Sequence, residues 1–357
     1  MILYDGWDRE YQENKQDYLD VFDRFMSQMN YENNETWEES FAKRIGRKYC
    51  VSVSSATDAL HFVLLAHGIG INDEVLVTDF SWISSSACVS MVGAIPVFCD
   101  IDLDSYHISL DSIKRMYSNK IKAIIYPHLF GNMSDTTEIR QFCKDKGILF
   151  IEDAAQSLGS SLHGISAGNI GDCSVYSFNS NKVIAGINGG GVILTDNEDI
   201  AKRVKIIRRH GKDKDFSMIG YNSRMYVLNA EIINLRLRHA EQNQERRQQI
   251  AHEYNTAFAD LPVITQEMSN ELNHNYHKYV VRFKDKDTRK RVKNAVNANI
   301  HYETPLSANT MYADLNYKSD TCTASKIASD TVLSLPIHAW LTGIEINNII
   351  KIVKNAI

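Results

Sequence analysis

The run Ile148-Leu-Phe-Ile-Glu-Asp-Ala-Ala-Gln156 decides the fold. Its first four residues are apolar without alternation, which predicts a strand over 148–151 buried on both faces. Such strands belong to parallel sheets covered by helices. Two acids follow at once, so Asp153 is expected at the carboxyl edge of the strand, where open parallel sheets bind ligands. An acid emerging there can reach a cationic nitrogen while its flanks stay dry. The plainer reading is that Asp153 only caps the next turn.

The flanking sequence repeats the pattern. Strand-like runs at 49–53, 74–77, 96–99 and 122–126 alternate with helical runs at 58–66, 84–92 and 136–144, and Ser109 caps a helix reaching 117. Residues 1–45 read as polar helix, with Trp37, Phe41 and Ile45 at helical spacing. Phe22, Met26 and Met29 share that spacing and are expected to pack rather than bind a ligand. Beyond the central run come strands at 173–178 and 191–195, then one long helical region at 229–258. The remainder mixes short strands such as 279–283 with helices such as 288–296 and 344–353. The fold class expected is α/β, a mainly parallel sheet between helices. A large domain is placed at 1–235, and a connecting helix with a smaller α+β domain at 236–357.

Composition narrows the function. The 357 residues carry a net charge of −5, which argues against nucleic acid or an anionic membrane as the main partner. Apolar runs stay short of the roughly 20 residues a membrane-spanning helix needs, and the N-terminus is acidic and polar rather than signal-like. Six cysteines lie scattered, without a CxxC pair, as suits buried thiols in a reducing cytoplasm. No zinc-like spacing is present, so no metal is expected. Gly68-Ile-Gly70 follows a helix instead of opening one, which excludes a dinucleotide loop.

Two further segments carry chemistry. Val175-Tyr-Ser-Phe-Asn-Ser-Asn-Lys182 runs from a strand into a polar turn bearing one lysine, followed by the glycines of Gly189-Gly-Gly191. A partly desolvated lysine loses its proton readily and can condense with a carbonyl; most lysines are simply solvated. Val53-Ser-Ser-Ala-Thr57 is a strand end, a small-residue turn and a helix start, whose free N–H groups and helix dipole favour a phosphate. Taken alone, that segment reads equally as an N-cap.

Together these segments resemble the nucleotide-sugar aminotransferases (DegT/StrS-type), a branch of the fold-type-I pyridoxal-phosphate enzymes. The resemblance runs from about residue 38 to the end. It is carried by Glu152-Asp-Ala-Ala-Gln-Ser-Leu-Gly159, Ser177-Phe178 ahead of Lys182, Gly190-Gly191, Arg209-His-Gly211 and Gly220-Tyr-Asn-Ser-Arg-Met225. Pro305-Leu306 and Leu333-Ser-Leu-Pro-Ile-His338 add to it. It implies pyridoxal 5′-phosphate as cofactor, tied covalently to Lys182, which then shuttles protons. It implies Asp153 at the pyridinium nitrogen, Gln156 near the phenolic oxygen and Trp82 stacked on the ring. Ala56, Thr57 and Ser177 would hold the phosphate. Asn222, with Arg224, would reach it from a second subunit, so a homodimer with shared active sites is implied. Trp82 as a core aromatic and His128 as a residue without a catalytic step remain the plain readings.

The implied reaction moves an amino group from L-glutamate to a nucleotide-linked keto-deoxy sugar, in amino sugar and surface polysaccharide biosynthesis. Three places depart from the family pattern: Ala56 stands where glycine is usual, Asn188 and Gly189 replace a glycine and an acid, and Ser307 replaces a histidine. They fall where substrate would sit and keep a non-nucleotide keto substrate in view. Dehydration is the other alternative, but members of that kind tend to carry histidine in place of Lys182. A regulator without activity is disfavoured by the joint presence of Lys182, Asp153, Gln156 and Ser177.

Overall fold

The computed structural model describes the chain apart from residues 1–3, 29–33, 267 and 316–320. Seven strands form the central sheet: β1 (Tyr49–Val53), β2 (Glu74–Thr78), β3 (Ile95–Cys99), β4 (Ile121–Pro127), β5 (Leu149–Asp153), β6 (Cys173–Ser177) and β7 (Gly191–Thr195). Their order is β1-β7-β6-β5-β4-β2-β3. Of these seven, β7 alone runs against its neighbours, while β2 to β6 pair in parallel.

Both faces of the sheet are covered, and the residues alternate between two cores with the period of a strand. Val51, Val53, Val175 and Ile193 pack with the helices Ala56–Ala66 and Glu198–Ile207. Cys50, Tyr176, Val192 and Leu194 pack on the other side with Phe41, Ile45, Ile233 and Leu237. Each such fully buried side chain contributes about 1.5–3 kcal/mol. That two-sided burial is why the strands read as unbroken apolar runs. All six cysteines are buried and unpaired. No described helix is long and apolar enough to cross a membrane.

The C-terminal region builds a third core around the antiparallel strands Tyr279–Arg282 and Val332–Leu335, edged by Ile264–Thr265. The single helix expected at 229–258 is instead two, Val227–Leu237 and Ala240–Phe258. The first buries residues nearly all round against the main sheet. The second buries one stripe, Ile250, Ala251, Tyr254 and Phe258, against the third core. One straight rod cannot serve both, so the chain turns at Arg238-His239.

At the N-terminus, helices span Trp7–Glu13, Lys15–Gln28 and Glu35–Ile45. Phe41 and Ile45 are buried as expected, with Trp37 stacked on Phe41 at 5.1 Å. Phe22 and Met26 are 48% and 49% exposed, so within one chain they do not pack as expected; Met29 lies outside the described residues. Ser109 caps its helix through the N–H of Ser112 at 3.2 Å.

Candidate active site

The carboxyl ends of β1, β4, β5 and β6 and the start of the antiparallel β7 share one edge of the sheet, and the chemistry gathers there. Asp153 closes β5 with 8% exposure. Its Oδ1 accepts the N–H of Ala155 at 3.1 Å, so the turn-capping reading holds too. Its Oδ2 has only a long hydrogen bond, 3.5 Å, from Ser85 and can accept a stronger donor. Burial raises its pKa, against the pull of the Ala155 N–H and the charge of Lys182.

Lys182 is half-buried on the loop after β6, and the amine and the Asp153 carboxylate feel each other's charge. Burial pushes its ammonium down to about 8, with Asp153 opposing. At pH 7 about a tenth of such an amine is unprotonated, several hundred times the share of an ordinary lysine. The loop is closed by Asn229, whose Oδ1 accepts the N–H of Ile187 at 2.7 Å while its Nδ2 donates to the Gly189 carbonyl at 2.6 Å. Gly189 and Gly190 take φ of +76° and +122°, whereas Asn188 is not left-handed. The departure at Asn188 therefore costs no backbone strain.

Glu152, next in sequence to Asp153, points into the scaffold instead. It accepts N–H groups from Gly168 (2.5 Å), Ile170 (2.9 Å) and Gly171 (3.0 Å), and His128 Nε2 lies 3.0 Å away. Burial works to raise its pKa, but His128 and these amides prevail and hold it below the usual range. His128 also donates its backbone N–H to the Asp153 carbonyl at 3.0 Å. Glu152 and His128 thus fix the strand end that presents Asp153, a role sequence reading did not assign.

The small-residue turn opens the helix Ala56–Ala66, capped by Ser55 through the N–H of Asp58 at 3.1 Å. Ala56 has no left-handed backbone, so its N–H is presented as glycine would present it. Gly191 lies against this turn and pairs with Ser177 across the β6–β7 register. A side-chain carbon on Gly191 would fall 2.5 Å from the Ser55 carbonyl carbon and 2.6 Å from Ala56 N. Gly191→Ala should therefore displace the turn and weaken binding of a phosphorylated ligand by roughly tenfold or more, for about 1–3 kcal/mol of overpacking. Titrating the apoprotein with pyridoxal phosphate checks this; unchanged affinity would refute it.

Thr57 Oγ1 lies 2.7 Å from Ser84 Oγ, which brings the segment of Trp82 to the same turn. Trp82 is 61% exposed, excluding the core-aromatic reading, and its ring centre is 6.5 Å from that of Tyr302. Gln156 accepts the Phe130 N–H at 2.8 Å and donates to the Tyr302 hydroxyl at 2.9 Å. Lys182, Asp153, Gln156, Trp82, Ala56, Thr57 and Ser177 therefore occupy one edge. Asn222 does not join them: it is exposed and bridges only to the backbone of Arg209. Its neighbour Ser223 ties the loop to Ser54 N at 3.1 Å and to Asp58 Oδ2 at 2.6 Å.

Ser307, the departure from histidine, is held by Asp79. Its N–H and Oγ donate to Asp79 at 2.6 and 3.0 Å, and Leu306 N donates to the Asp79 carbonyl at 2.8 Å. Burial pushes the Asp79 carboxyl up to about 6, against the Ser307 bonds. An acid whose folded pKa is raised favours folding fully below its unfolded value and loses that contribution as pH rises through the folded one. Asp79→Asn removes the titration. Its melting temperature relative to wild type should therefore rise between about pH 4 and pH 6. Parallel thermal melts across that range check it, and a constant difference would count against it.

The arrangement can hold a phosphorylated aromatic cation that carries a carbonyl. The phosphate would take the N–H groups and hydroxyls of Ala56, Thr57 and Ser177. The ring nitrogen would take Asp153, the ring face Trp82 and the carbonyl Lys182.

Comparison with known proteins agrees. The model of the DegT/DnrJ/EryC1/StrS aminotransferase family matches residues 9–354. A UDP-2-acetamido-2-deoxy-3-oxo-D-glucuronate aminotransferase of Pseudomonas aeruginosa is 32% identical over 89% of this chain and 89% of its own. A dTDP-3-amino-3,6-dideoxy-alpha-D-galactopyranose transaminase of Aneurinibacillus thermoaerophilus is 29% identical, covering 90% and 89%. The structure of NtdA from Bacillus subtilis, with bound cofactor PMP, superposes with a TM-score of 0.89 at 25% identity, covering 96% of this chain and 82% of that one. The chain belongs to the DegT/DnrJ/EryC1/StrS aminotransferase family. It is a transaminase, and its cofactor is pyridoxal phosphate.

Proposed function

We propose that the protein carries an amino group from L-glutamate to the keto carbon of a nucleotide-linked deoxy sugar. The observation that carries this is the placing of the half-buried Lys182 amine and the buried Asp153 carboxylate on one sheet edge, near enough to feel each other's charge. The curated relatives named for UDP- and dTDP-linked sugars support the substrate class. When bound, pyridoxal phosphate supplies an electron sink for the carbon that gains or loses a proton. Lys182 holds and moves that proton, its lowered pKa suiting both directions near neutral pH. Asp153 keeps a ring nitrogen cationic, Trp82 covers one ring face, and the turn at Ala56 and Thr57 fixes the phosphate.

A homodimer belongs to the same reading. Phe22 and Ile187, 48% and 62% exposed, line one apolar groove, and Ile219 and Tyr226 are 88% and 73% exposed, surface that a second copy would cover. Asn222 and Arg224, exposed beside them in sequence, are assigned to the partner's phosphate. Division into units at 1–235 and 236–357 is supported by the separate C-terminal core. Buried thiols suit a cytoplasmic site. Production of amino sugars for surface polysaccharide is the proposed use.

The test supplies L-glutamate with a panel of keto sugars, nucleotide-linked and free, and identifies aminated products by mass spectrometry. Amination of a nucleotide-linked sugar supports the proposal. Amination confined to the free sugars would transfer the assignment to a non-nucleotide substrate.

A further inference from the structure

Lys278 is a buried charge that the proposed chemistry does not use. It precedes the strand Tyr279–Arg282 and is 8% exposed. Its ammonium lies 4.9 Å over the ring of Tyr4. Among the described residues no carboxylate forms an ion pair with it, and the one acid that tempers its charge, Asp5, is exposed.

A cavity of about 200 Å³ opens beside it. Lys278, Lys182 and Arg247 line this space, and Asp5 is its one carboxylate. His277 and His301 also face it. Burial holds both imidazoles neutral, with the neighbouring cations adding to the effect, so they can accept or donate without adding charge. Ala56, Thr57, Trp82, Asp153 and Ser177 do not line the cavity, so it adjoins the cofactor's expected bed through Lys182 alone.

Without cofactor, three cationic side chains converge on this small space and repel one another; with Lys182 tied to the cofactor, Lys278 and Arg247 still face it together. Lys278 is pushed down to about 7 by burial, then by Lys182 and Arg247. An incoming anion relieves both costs and restores the charge of Lys278, because an opposite charge favours the ionised form. Low-dielectric walls of one sign also focus the field on a ligand of the other sign.

We infer that this cavity receives an oxyanion, a carboxylate or phosphate carried by one of the two substrates, and that Lys278 is its specificity-determining contact. The inference rests on the aminotransferase reading for the identity of the ligand. The donor amino acid and the sugar are the two sources of such a group.

The experiment uses holoenzyme, in which cofactor fills the phosphate turn, as wild type, Lys278→Met and Lys278→Arg. Calorimetry with inorganic phosphate should show binding in wild type and Lys278→Arg that is lost in Lys278→Met. Steady-state rates then separate the sources, comparing L-glutamate with L-alanine as donor, and keto sugars with and without an acidic group as acceptor. The KM of the substrate carrying the anion should rise roughly tenfold or more in Lys278→Met, with kcat much less affected, and Lys278→Arg should restore it. A rise confined to L-glutamate assigns the group to the donor, and one confined to acidic sugars assigns it to the acceptor. Unchanged KM for both substrates, or a rise that Lys278→Arg fails to rescue, overturns the inference. Should wild type show no turnover, the proposed function fails and calorimetry alone decides this site: lost phosphate binding in Lys278→Met upholds it, and equal binding overturns it.

Discussion

Lys182→Ala should lower amino transfer by roughly 10³-fold or more while the fold remains intact, since a positioned general acid–base group contributes about 10²–10⁴-fold and the covalent hold on the cofactor goes with it. The side chain is half-buried on a loop rather than within a core, so its removal leaves the packing around it unchanged. Asn229 closes the loop independently of the lysine, through Ile187 N and the Gly189 carbonyl. Circular dichroism and melting temperature should match wild type. Turnover within tenfold of wild type would remove the role assigned to this amine.

Asp153→Asn should cost roughly 10²–10³-fold in rate, the magnitude attached to losing one preorganised electrostatic contact in a dry site. The amide keeps an oxygen for the Ala155 N–H, so the turn survives. It cannot keep a ring nitrogen cationic, so the electron sink weakens. Removing the carboxylate also removes the interaction that holds up the Lys182 pKa, so the lysine should titrate below about 8 in this variant. The pH–rate profile of Asp153→Asn should accordingly shift to lower pH, and an unshifted profile at wild-type rate would refute the pairing.

The parts of this site that the sequence disclosed are those carried by one continuous segment. Asp153 follows its apolar strand directly, Lys182 closes a strand-to-turn run, and Ala56 with Thr57 open a helix from a small-residue turn. Such units announce themselves because strand burial and helix capping act within a few residues. Contacts between distant segments left no such mark. Ser307 meets Asp79 across 228 residues, a contact that its sequence neighbours could not announce. Lys278 lies beside an apolar strand, and only the fold brings Lys182 and Arg247 to the same cavity. The break at Arg238-His239 was hidden because polar and apolar helix segments both continue a helical pattern. Phe22 and Met26 show the converse, since their spacing records a buried face without saying which molecule covers it.

Glu152 and Asp153 are consecutive acids sent to opposite surroundings. The first is locked below the usual carboxylate range by His128 and backbone amides, the second pushed above it by burial. In the chain without cofactor, a fall in pH therefore protonates Asp153 before Glu152, and the brace behind it stays charged for longer. Reloading of the empty protein should accordingly weaken as the solution is acidified, with the strand end still in place, and an absorbance titration with pyridoxal phosphate across pH reads that directly.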